Sequence, residues 1–135
     1  MPDHSALLGA ARAAAAGAYA PYSHFRVGAA VETTKGIFTG ANVENASYGL
    51  CLCAERTALA AAVTAGAREI LTIAVACIDA PADATAGERM PCGACRQWIV
   101  ELAPKAVVLV DGVGRVFTAA ELLPAAFSLR VDDAV

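Results

Sequence analysis

Two short segments of this sequence combine residue types that can hold a metal ion and move a proton. In the first segment Glu55 follows Cys53 by two positions, and the second segment, Pro91-Cys92-Gly93-Ala94-Cys95, contains two further cysteines. A zinc ion with three protein ligands keeps a fourth tetrahedral position open for water, which is the arrangement of catalytic zinc sites. We therefore predict that Cys53, Cys92 and Cys95 bind Zn²⁺ at a catalytic centre.

Glu55 is the candidate proton carrier of this centre. A glutamate in the first turn of a helix commonly does no more than complement the helix dipole, and Glu55 alone would be interpreted in that way. Beside a zinc site that lowers the pKa of water, however, a carboxyl group can take a proton from the water and pass it to a nitrogen of the substrate. The pattern predicts metal-assisted hydrolysis, with Glu55 as the catalytic residue.

Arg56 is next to Glu55 in the sequence and could alter the net charge of the predicted zinc site. Two positive charges on zinc against three negative charges on thiolates leave one net negative charge, which makes the metal a weaker acid. A guanidinium that donates a hydrogen bond to one thiolate would withdraw charge and restore that acidity. The alternative is a solvent-exposed helix arginine, and the residues alone favour neither interpretation.

Two other interpretations of the cysteines remain open at this point. A closed structural zinc site would add Cys51 as a fourth thiolate, although a one-residue gap between ligands is less usual than a two-residue gap. A redox disulfide would join Cys92 to Cys95, since Cys-x-x-Cys at a helix start also occurs in thioredoxin-like proteins. Neither interpretation explains Glu55, so we favour the catalytic zinc site. Cys77, in an apolar stretch, is predicted to be an inert core thiol.

The elements that must position these residues predict an α/β fold. Strands alternate with helices, which indicates a three-layer α/β/α sandwich with a mixed central sheet of about five strands. The predicted ligands fall at helix N-termini, where free N–H groups and a positive partial charge lower a thiol pKa. Helices are predicted over 5–18, 53–63, 92–102 and 119–123, and strands over 25–32, 37–43, 70–78, 106–111 and 115–117.

Composition limits the classes of partner. A chain of 135 residues is expected to form one domain over 1–135, and a hydrophobic content of 58% suggests apolar surface that meets other copies. The net charge is −3 without a Lys/Arg cluster, which disfavours a nucleic-acid partner. No signal peptide and no membrane span are predicted, and the five cysteines are expected to be ligands or free thiols, so we expect a cytoplasmic protein.

Several further segments resemble the small cytidine deaminases that act on free nucleosides, and the resemblance covers nearly the whole chain. Together with the zinc segments they are highly specific for that family. The segments are Ala20-Pro21-Tyr22-Ser23, Phe25-Arg26-Val27-Gly28-Ala29-Ala30, Asn42-Val43-Glu44-Asn45-Ala46-Ser47-Tyr48, Cys95-Arg96-Gln97 and Leu122-Leu123-Pro124, followed by Ala126-Phe127.

The resemblance implies hydrolytic deamination of cytidine and 2′-deoxycytidine to uridine and 2′-deoxyuridine in pyrimidine salvage, with one Zn²⁺ per subunit. It also implies a homotetramer whose active sites take residues from neighbouring subunits. The implied substrate-binding residues are Asn42 and Glu44 for the ribose 3′-hydroxyl, Phe25 for the pyrimidine ring, the backbone of Ala54 for the base edge, and Tyr48 and Phe127 at shared sites. Arg56 matches the residue that bonds a zinc thiolate.

The chain also departs from the family pattern. Cys51 is an additional thiol, Met90 stands where serine or threonine is more usual, and the loop over 79–89 is longer than in some relatives. Asn42 and Glu44 favour an ordinary ribose but do not exclude a modified sugar, so a different cytosine nucleoside, such as a blasticidin-like compound, remains an alternative substrate. From another class, a non-catalytic domain stabilised by zinc remains the alternative function.

Overall fold

Five strands form one mixed sheet in the computed structural model, which describes residues 3–131. They are β1 (Val27–Thr33), β2 (Gly36–Ala41), β3 (Ile70–Cys77), β4 (Val107–Val110) and β5 (Val116–Thr118). Their order across the sheet is β2-β1-β3-β4-β5. β3 and β4 are parallel, whereas the other three neighbouring pairs are antiparallel. The predicted mixed sheet of five strands is therefore confirmed.

Helices cover both faces of this sheet. The α-helices of the described residues are α1 (Ser5–Ala14), α2 (Ala54–Thr64), α3 (Gly93–Leu102) and α4 (Ala119–Leu122). Through Leu7 and Ala11, α1 packs on the face that carries Ala30 of β1 and Ala74 and Ala76 of β3. α2 and α3 share a core with larger residues on the opposite face. This arrangement is the predicted three-layer sandwich. Within residues 3–131, no helix combines the length and the apolar character needed to cross a membrane.

Two glycines allow helices to approach the sheet closely. A Cβ atom on Gly28 would lie 1.9 Å from the Ala11 carbonyl oxygen of α1. A Cβ atom on Gly40 would lie 2.5 Å from the Ala58 nitrogen and 3.0 Å from the Ala54 carbonyl oxygen, both in α2. Because these are backbone atoms, no side-chain rotation can relieve the clash. Gly40 therefore determines how closely the first turns of α2 approach the sheet.

Most predicted boundaries lie within two residues of the observed ones. The exception is the first helix, which ends as an α-helix at Ala14 and continues as a 3-10 turn over Ala15–Gly17. The prediction that Phe25 begins a strand was wrong, since β1 begins at Val27. The loop after β3 also contains a short 3-10 turn at Gly87–Arg89.

We expect the substitution Gly40→Ala to destabilise the fold by about 1–3 kcal/mol, because the added methyl group must displace the backbone of α2. Thermal unfolding at a fixed protein concentration measures the effect. Gly9→Ala is the matched control: Gly9 lies in α1, and apart from its own helix backbone no heavy atom lies within 4 Å of the added carbon. Alanine favours a helix over glycine by about 1 kcal/mol, so that variant should be unchanged or more stable. Equal melting temperatures for the two variants would contradict this account of Gly40.

Candidate active site

The three predicted zinc ligands come from the starts of two helices that pack on the same face of the sheet. Cys53 is the N-cap residue of α2 and Cys92 is the N-cap residue of α3, each with an extended backbone. Cys95 lies in the first turn of α3 and is fully buried. Both helix ends direct unpaired N–H groups and the positive end of the helix dipole toward the thiols. The two ends thus form an environment that favours thiolates.

The spacing of the three sulfur atoms fits one metal ion. The Sγ atoms of Cys53 and Cys92 are 3.6 Å apart, as are those of Cys92 and Cys95, and all three lie within 4.8 Å of one another. A disulfide would require about 2.0 Å, so these cysteines are free. A tetrahedral zinc with Zn–S bonds of about 2.3 Å spaces its thiolates about 3.8 Å apart. The donor set and its spacing therefore suit Zn²⁺, and the redox disulfide is not formed.

Cys51 lies outside this group. Its Sγ atom accepts a hydrogen bond from the Asn45 N–H at 3.2 Å and donates to the Asn45 carbonyl oxygen at 3.5 Å. The thiol therefore bridges the turn that precedes α2 instead of joining the cluster. A fourth thiolate for a closed structural site is not present in this arrangement.

Arg56 lies against the cluster. Its Nη2 atom is 3.4 Å from Cys53 Sγ and 3.4 Å from the Cys51 carbonyl oxygen, whereas its Nε atom is buried without a hydrogen-bond partner among the described residues. An unpaired buried donor costs about 1–3 kcal/mol. The guanidinium is thus held beside the thiols by charge rather than by a complete set of hydrogen bonds.

The pKa values of Cys53 and Cys95 are shifted in opposite directions. Interaction with the Cys95 thiol, reinforced by donation from Arg56, lowers the pKa of Cys53 to about 5 despite its partial burial. The pKa of Cys95 is raised well above its usual range by the neighbouring Cys53 thiol and by burial. Protein groups alone therefore favour the thiolate form of Cys53. Three thiolates close together require a bound cation, which explains how metal binding and deprotonation are coupled.

Glu55 occupies the first turn of α2 and points to the same cleft as the cysteines. It is 4% exposed, and burial raises the pKa of its carboxyl group to about 7. The helix N-terminus alone would lower that pKa, so desolvation is the dominant effect. A carboxyl group with a pKa near neutrality can both accept and release a proton.

The cleft around these groups has a volume of about 210 Å³ and is formed by the segment before β1, the segment after β2, the start of α2, the end of β3 and the residues just before α3. A larger groove of about 430 Å³ between α2 and α3 has none of the cysteines or Glu55 in its walls. We therefore assign the smaller cleft as the candidate site. Its walls include the predicted residues Phe25, Asn42, Glu44, Cys53, Ala54, Glu55 and Cys92.

Asn42 anchors the chain that carries Phe25. Its Oδ1 atom accepts a hydrogen bond from the Val27 N–H at 2.8 Å, and its Nδ2 atom donates to the Phe25 carbonyl oxygen at 2.8 Å. One N–H of the side-chain amide and one lone pair of its oxygen remain for a ligand. Asn42 therefore positions the predicted aromatic residue and keeps polar capacity toward the cleft.

Glu44 anchors the preceding turn in the same manner. Its Oε1 atom accepts from the backbone N–H groups of Tyr22 and Ser23, each at 3.1 Å, and its Oε2 atom accepts from the Ser23 hydroxyl group. These hydrogen bonds, chiefly that from the Ser23 hydroxyl, lower the pKa of Glu44. The cleft thus contains an ionised carboxylate in a defined orientation.

Tyr48 and Phe127 do not line this cleft. Tyr48 is 73% exposed and contacts Tyr22 edge to face, with ring centroids 6.0 Å apart. Phe127 is 70% exposed, and its carbonyl oxygen accepts a hydrogen bond from the Gln97 side chain. Within one chain, Tyr48 instead borders an adjoining cavity together with Glu44, and Phe127 is not in the lining of either cavity.

The prediction of Cys77 as a core thiol was wrong. Cys77 is the last residue of β3, is only partly buried and contributes to the cleft wall, where burial raises its pKa to about 11. Glu88 and Arg89 also line the cleft. For Cys77 an indication was available, because ligand sites gather at the carboxyl ends of parallel strands. For Glu88 and Arg89, in the loop after β3, no sequence pattern indicated a position in the cleft wall.

Comparison with known proteins agrees with this geometry. A family model described as the cytidine and deoxycytidylate deaminase zinc-binding region matches residues 1–111. A curated cytidine deaminase from Halalkalibacterium halodurans is 46% identical over 131 residues, which cover 93% of this chain and 95% of that protein.

Solved structures give the same result. The crystal structure of cytidine deaminase from Burkholderia pseudomallei has a TM-score of 0.82 at 51% identity, covering 93% of this chain and 100% of that one. That of cytidine deaminase from Mycobacterium tuberculosis has a TM-score of 0.80 at 40% identity, covering 96% and 100%. Sequence, fold and cysteine geometry agree, and the chain belongs to the zinc-binding family of cytidine and deoxycytidylate deaminases.

Proposed function

We propose that this protein catalyses the zinc-dependent hydrolytic deamination of cytidine and 2′-deoxycytidine to uridine and 2′-deoxyuridine, with release of ammonia. The observation that carries the proposal is the position of Glu55, a carboxyl group only 4% exposed that faces a cleft beside three clustered thiols. Relatives named cytidine deaminases, similar over more than nine-tenths of the chain, support the substrate.

Cys53, Cys92 and Cys95 would hold the zinc ion. When bound, zinc supplies a water molecule whose lowered pKa makes it nucleophilic at neutral pH. Arg56 donates to Cys53 Sγ and so offsets the net negative charge of a three-thiolate site. The charge argument made from the sequence is thus supported by a direct contact.

Glu55 would manage the protons of the reaction. It accepts a proton as water adds to the amino-bearing carbon of the cytosine ring, and it delivers that proton to the adjacent ring nitrogen. The remaining proton of the former water leaves its oxygen as the carbonyl forms and reaches the departing amino group through the same carboxyl group. Ammonia and the uracil nucleoside balance the cytosine nucleoside and water. A carboxyl pKa of about 7 suits both directions of transfer.

The remaining cleft residues would bind the nucleoside. Ala54 is the first residue of α2, so its N–H group has no intrahelical partner and can donate to the base edge. Phe25 would contact the pyrimidine ring. Asn42 and Glu44 would bind the ribose 3′-hydroxyl, the amide as donor and the carboxylate as acceptor.

The charge of the cleft favours a nucleoside over a nucleotide. The described lining includes the acidic residues Glu44 and Glu88 and one cationic residue, Arg89. Arg89 already donates from Nη2 to the Pro81 carbonyl oxygen at 2.9 Å. A phosphate monoester would add negative charge to this lining, so deoxycytidylate and polynucleotides are poorer candidates.

We also propose assembly as a homotetramer with shared active sites. The aromatic rings of Tyr48 and Phe127 are largely exposed within one chain, and the groove between α2 and α3 exposes part of Trp98. Large apolar side chains exposed in this way are common where subunits meet. The proposed role is pyrimidine salvage in the cytoplasm, where thiols remain reduced.

We expect Glu55→Gln to lower kcat for cytidine by about 10² to 10⁴, the usual contribution of a general acid–base group. The zinc content should stay at the wild-type value, because no ligand changes. Loss of cytidine absorbance and metal analysis measure the two quantities. Glu69→Gln, an exposed glutamate outside the cleft, is the control. Turnover by Glu55→Gln close to that of wild type would remove the proposed proton carrier.

Single alanine substitutions of Cys53, Cys92 or Cys95 should abolish both stoichiometric zinc binding and turnover, because two thiolates hold the metal far less strongly than three. Cys51→Ala is the matched control and should retain zinc and activity. Metal analysis after dialysis, with turnover on the same samples, provides the measurement. Zinc loss in the Cys51 variant would revive the closed four-thiolate site.

Phe127→Ala should lower kcat/KM for cytidine about ten-fold or more, equivalent to about 1.4 kcal/mol, if a neighbouring subunit's site uses this ring. Val116→Ala, another exposed apolar residue on β5, should have no effect. Sedimentation should give a tetramer for wild type. A stable, fully active monomer, or an unchanged kcat/KM in the Phe127 variant, would refute the shared site.

A further inference from the structure

Ser23 joins two parts of the cleft although it does not line the cleft itself. Its hydroxyl group donates to Oε2 of Glu44 and accepts from the Phe25 N–H at 3.0 Å. Its own backbone N–H donates to Oε1 of Glu44 at 3.1 Å. Ser23 and Glu44 both border an adjoining cavity of about 230 Å³. Ser23 thus stands behind the carboxylate that faces the substrate.

The hydroxyl group of Ser23 has a distinct part in this network. Backbone N–H groups hold Oε1 of Glu44, whereas the Ser23 hydroxyl is the described donor to Oε2. The terminal torsion of a glutamate side chain is soft, so the carboxylate plane depends on having a partner at both oxygens. A carboxylate has about four acceptor positions, and three are used here. The Ser23 hydroxyl therefore determines where the remaining position points.

The turn around Ser23 is itself constrained. The next residue, His24, has a φ of 58°, in the left-handed region that non-glycine residues seldom occupy. Its N–H donates to the Ala20 carbonyl oxygen at 3.0 Å. A turn held in this way keeps the hydroxyl group in one place relative to Glu44.

We propose that Ser23 is a positioning residue for sugar recognition: its hydroxyl orients the Glu44 carboxylate so that the free acceptor position meets the ribose 3′-hydroxyl of the substrate. This inference rests on the proposed function and on the assignment of Glu44 to the ribose. It adds a residue that acts on the substrate only through Glu44, and it predicts which chemical group of the substrate reports the effect.

A substrate comparison separates this role from a general structural one. Ser23 could affect turnover through Glu44 or through the backbone of Phe25. The first route matters only for a substrate that carries the 3′-hydroxyl, whereas the second affects every cytosine nucleoside equally. The probes are cytidine, 2′-deoxycytidine and 3′-deoxycytidine, and the last lacks only the group that Glu44 is proposed to bind.

The experiment measures kcat/KM of zinc-loaded wild type and Ser23→Ala for the three nucleosides. We expect the variant to lose about ten-fold or more on cytidine and 2′-deoxycytidine, the effect of one hydrogen bond to a charged group, and to stay within about two-fold of wild type on 3′-deoxycytidine. Thr34→Ala removes a hydroxyl from the exposed turn between β1 and β2, and it should not change the preference. Equal losses on all three nucleosides, or no loss on any, would overturn the inference.

The wild-type measurements distinguish a failure of the proposed function from a failure of the proposed role of Ser23. Absence of turnover on every cytosine nucleoside by zinc-loaded wild type would refute the proposed function itself. Turnover of cytidine and 3′-deoxycytidine at equal kcat/KM would refute the contact between Glu44 and the ribose, and with it the role of Ser23. A wild type that prefers cytidine and a Ser23→Ala variant that keeps the full preference would refute only the inference.

Discussion

The meeting of two helix N-termini at one point is the constraint on which this structure depends. α2 and α3 begin at Cys53 and Cys92, and their Sγ atoms are 3.6 Å apart. Each helix end stabilises negative charge, but three thiolates at this spacing repel one another strongly. Arg56 compensates in part, and a divalent cation compensates for the rest. The sheet must therefore hold α2 and α3 in a position that the bare thiolates would resist.

Close packing holds the two helices in place against the repulsion between the thiolates. α2 lies on Gly40 so closely that its backbone leaves no room for a Cβ atom there, and Leu59 of α2 and Ile99 of α3 are fully buried in the same core. Displacing either helix would open a cavity or expose apolar area at a cost of several kcal/mol. The packing that positions the three cysteines is thus hydrophobic and remote from them.

Two acidic groups at the start of α2 have pKa values shifted in opposite directions. The thiol of Cys53, partly exposed and next to Arg56, has its pKa lowered, whereas the carboxyl group of Glu55, two residues later, has its pKa raised to about 7. The difference comes from the direction of the side chains. The Cys53 thiol lies against the Cys95 thiol and Arg56, whereas the Glu55 carboxyl group is buried in the cleft wall. A single turn of α2 therefore supplies both a ligand and a group that can exchange protons at neutral pH.

Sequence patterns predicted the α/β/α fold, the five strands and the cysteine group, because these depend on local periodicity, helix starts and ligand spacing. They did not predict the cleft position of Cys77, since a buried strand pattern does not reveal where the strand leaves the core. Nor did they predict the hydrogen bonds between Ser23 and Glu44, which are 21 positions apart. Contacts of this kind depend on how the segment before β1 folds over the segment after β2, and neither segment has a periodic pattern.

Substrate recognition is consequently a property of a network and not of separate residues. Asn42 and Glu44, two positions apart after β2, both hold the backbone of residues 22–27, and that backbone carries Phe25 toward the cleft. A change at either polar residue therefore displaces the aromatic residue as well as removing a polar contact. Because residues in one hydrogen-bond network are energetically coupled, the contributions of sugar and base to binding cannot be separated by single substitutions. They can be separated only by varying the protein and the nucleoside together.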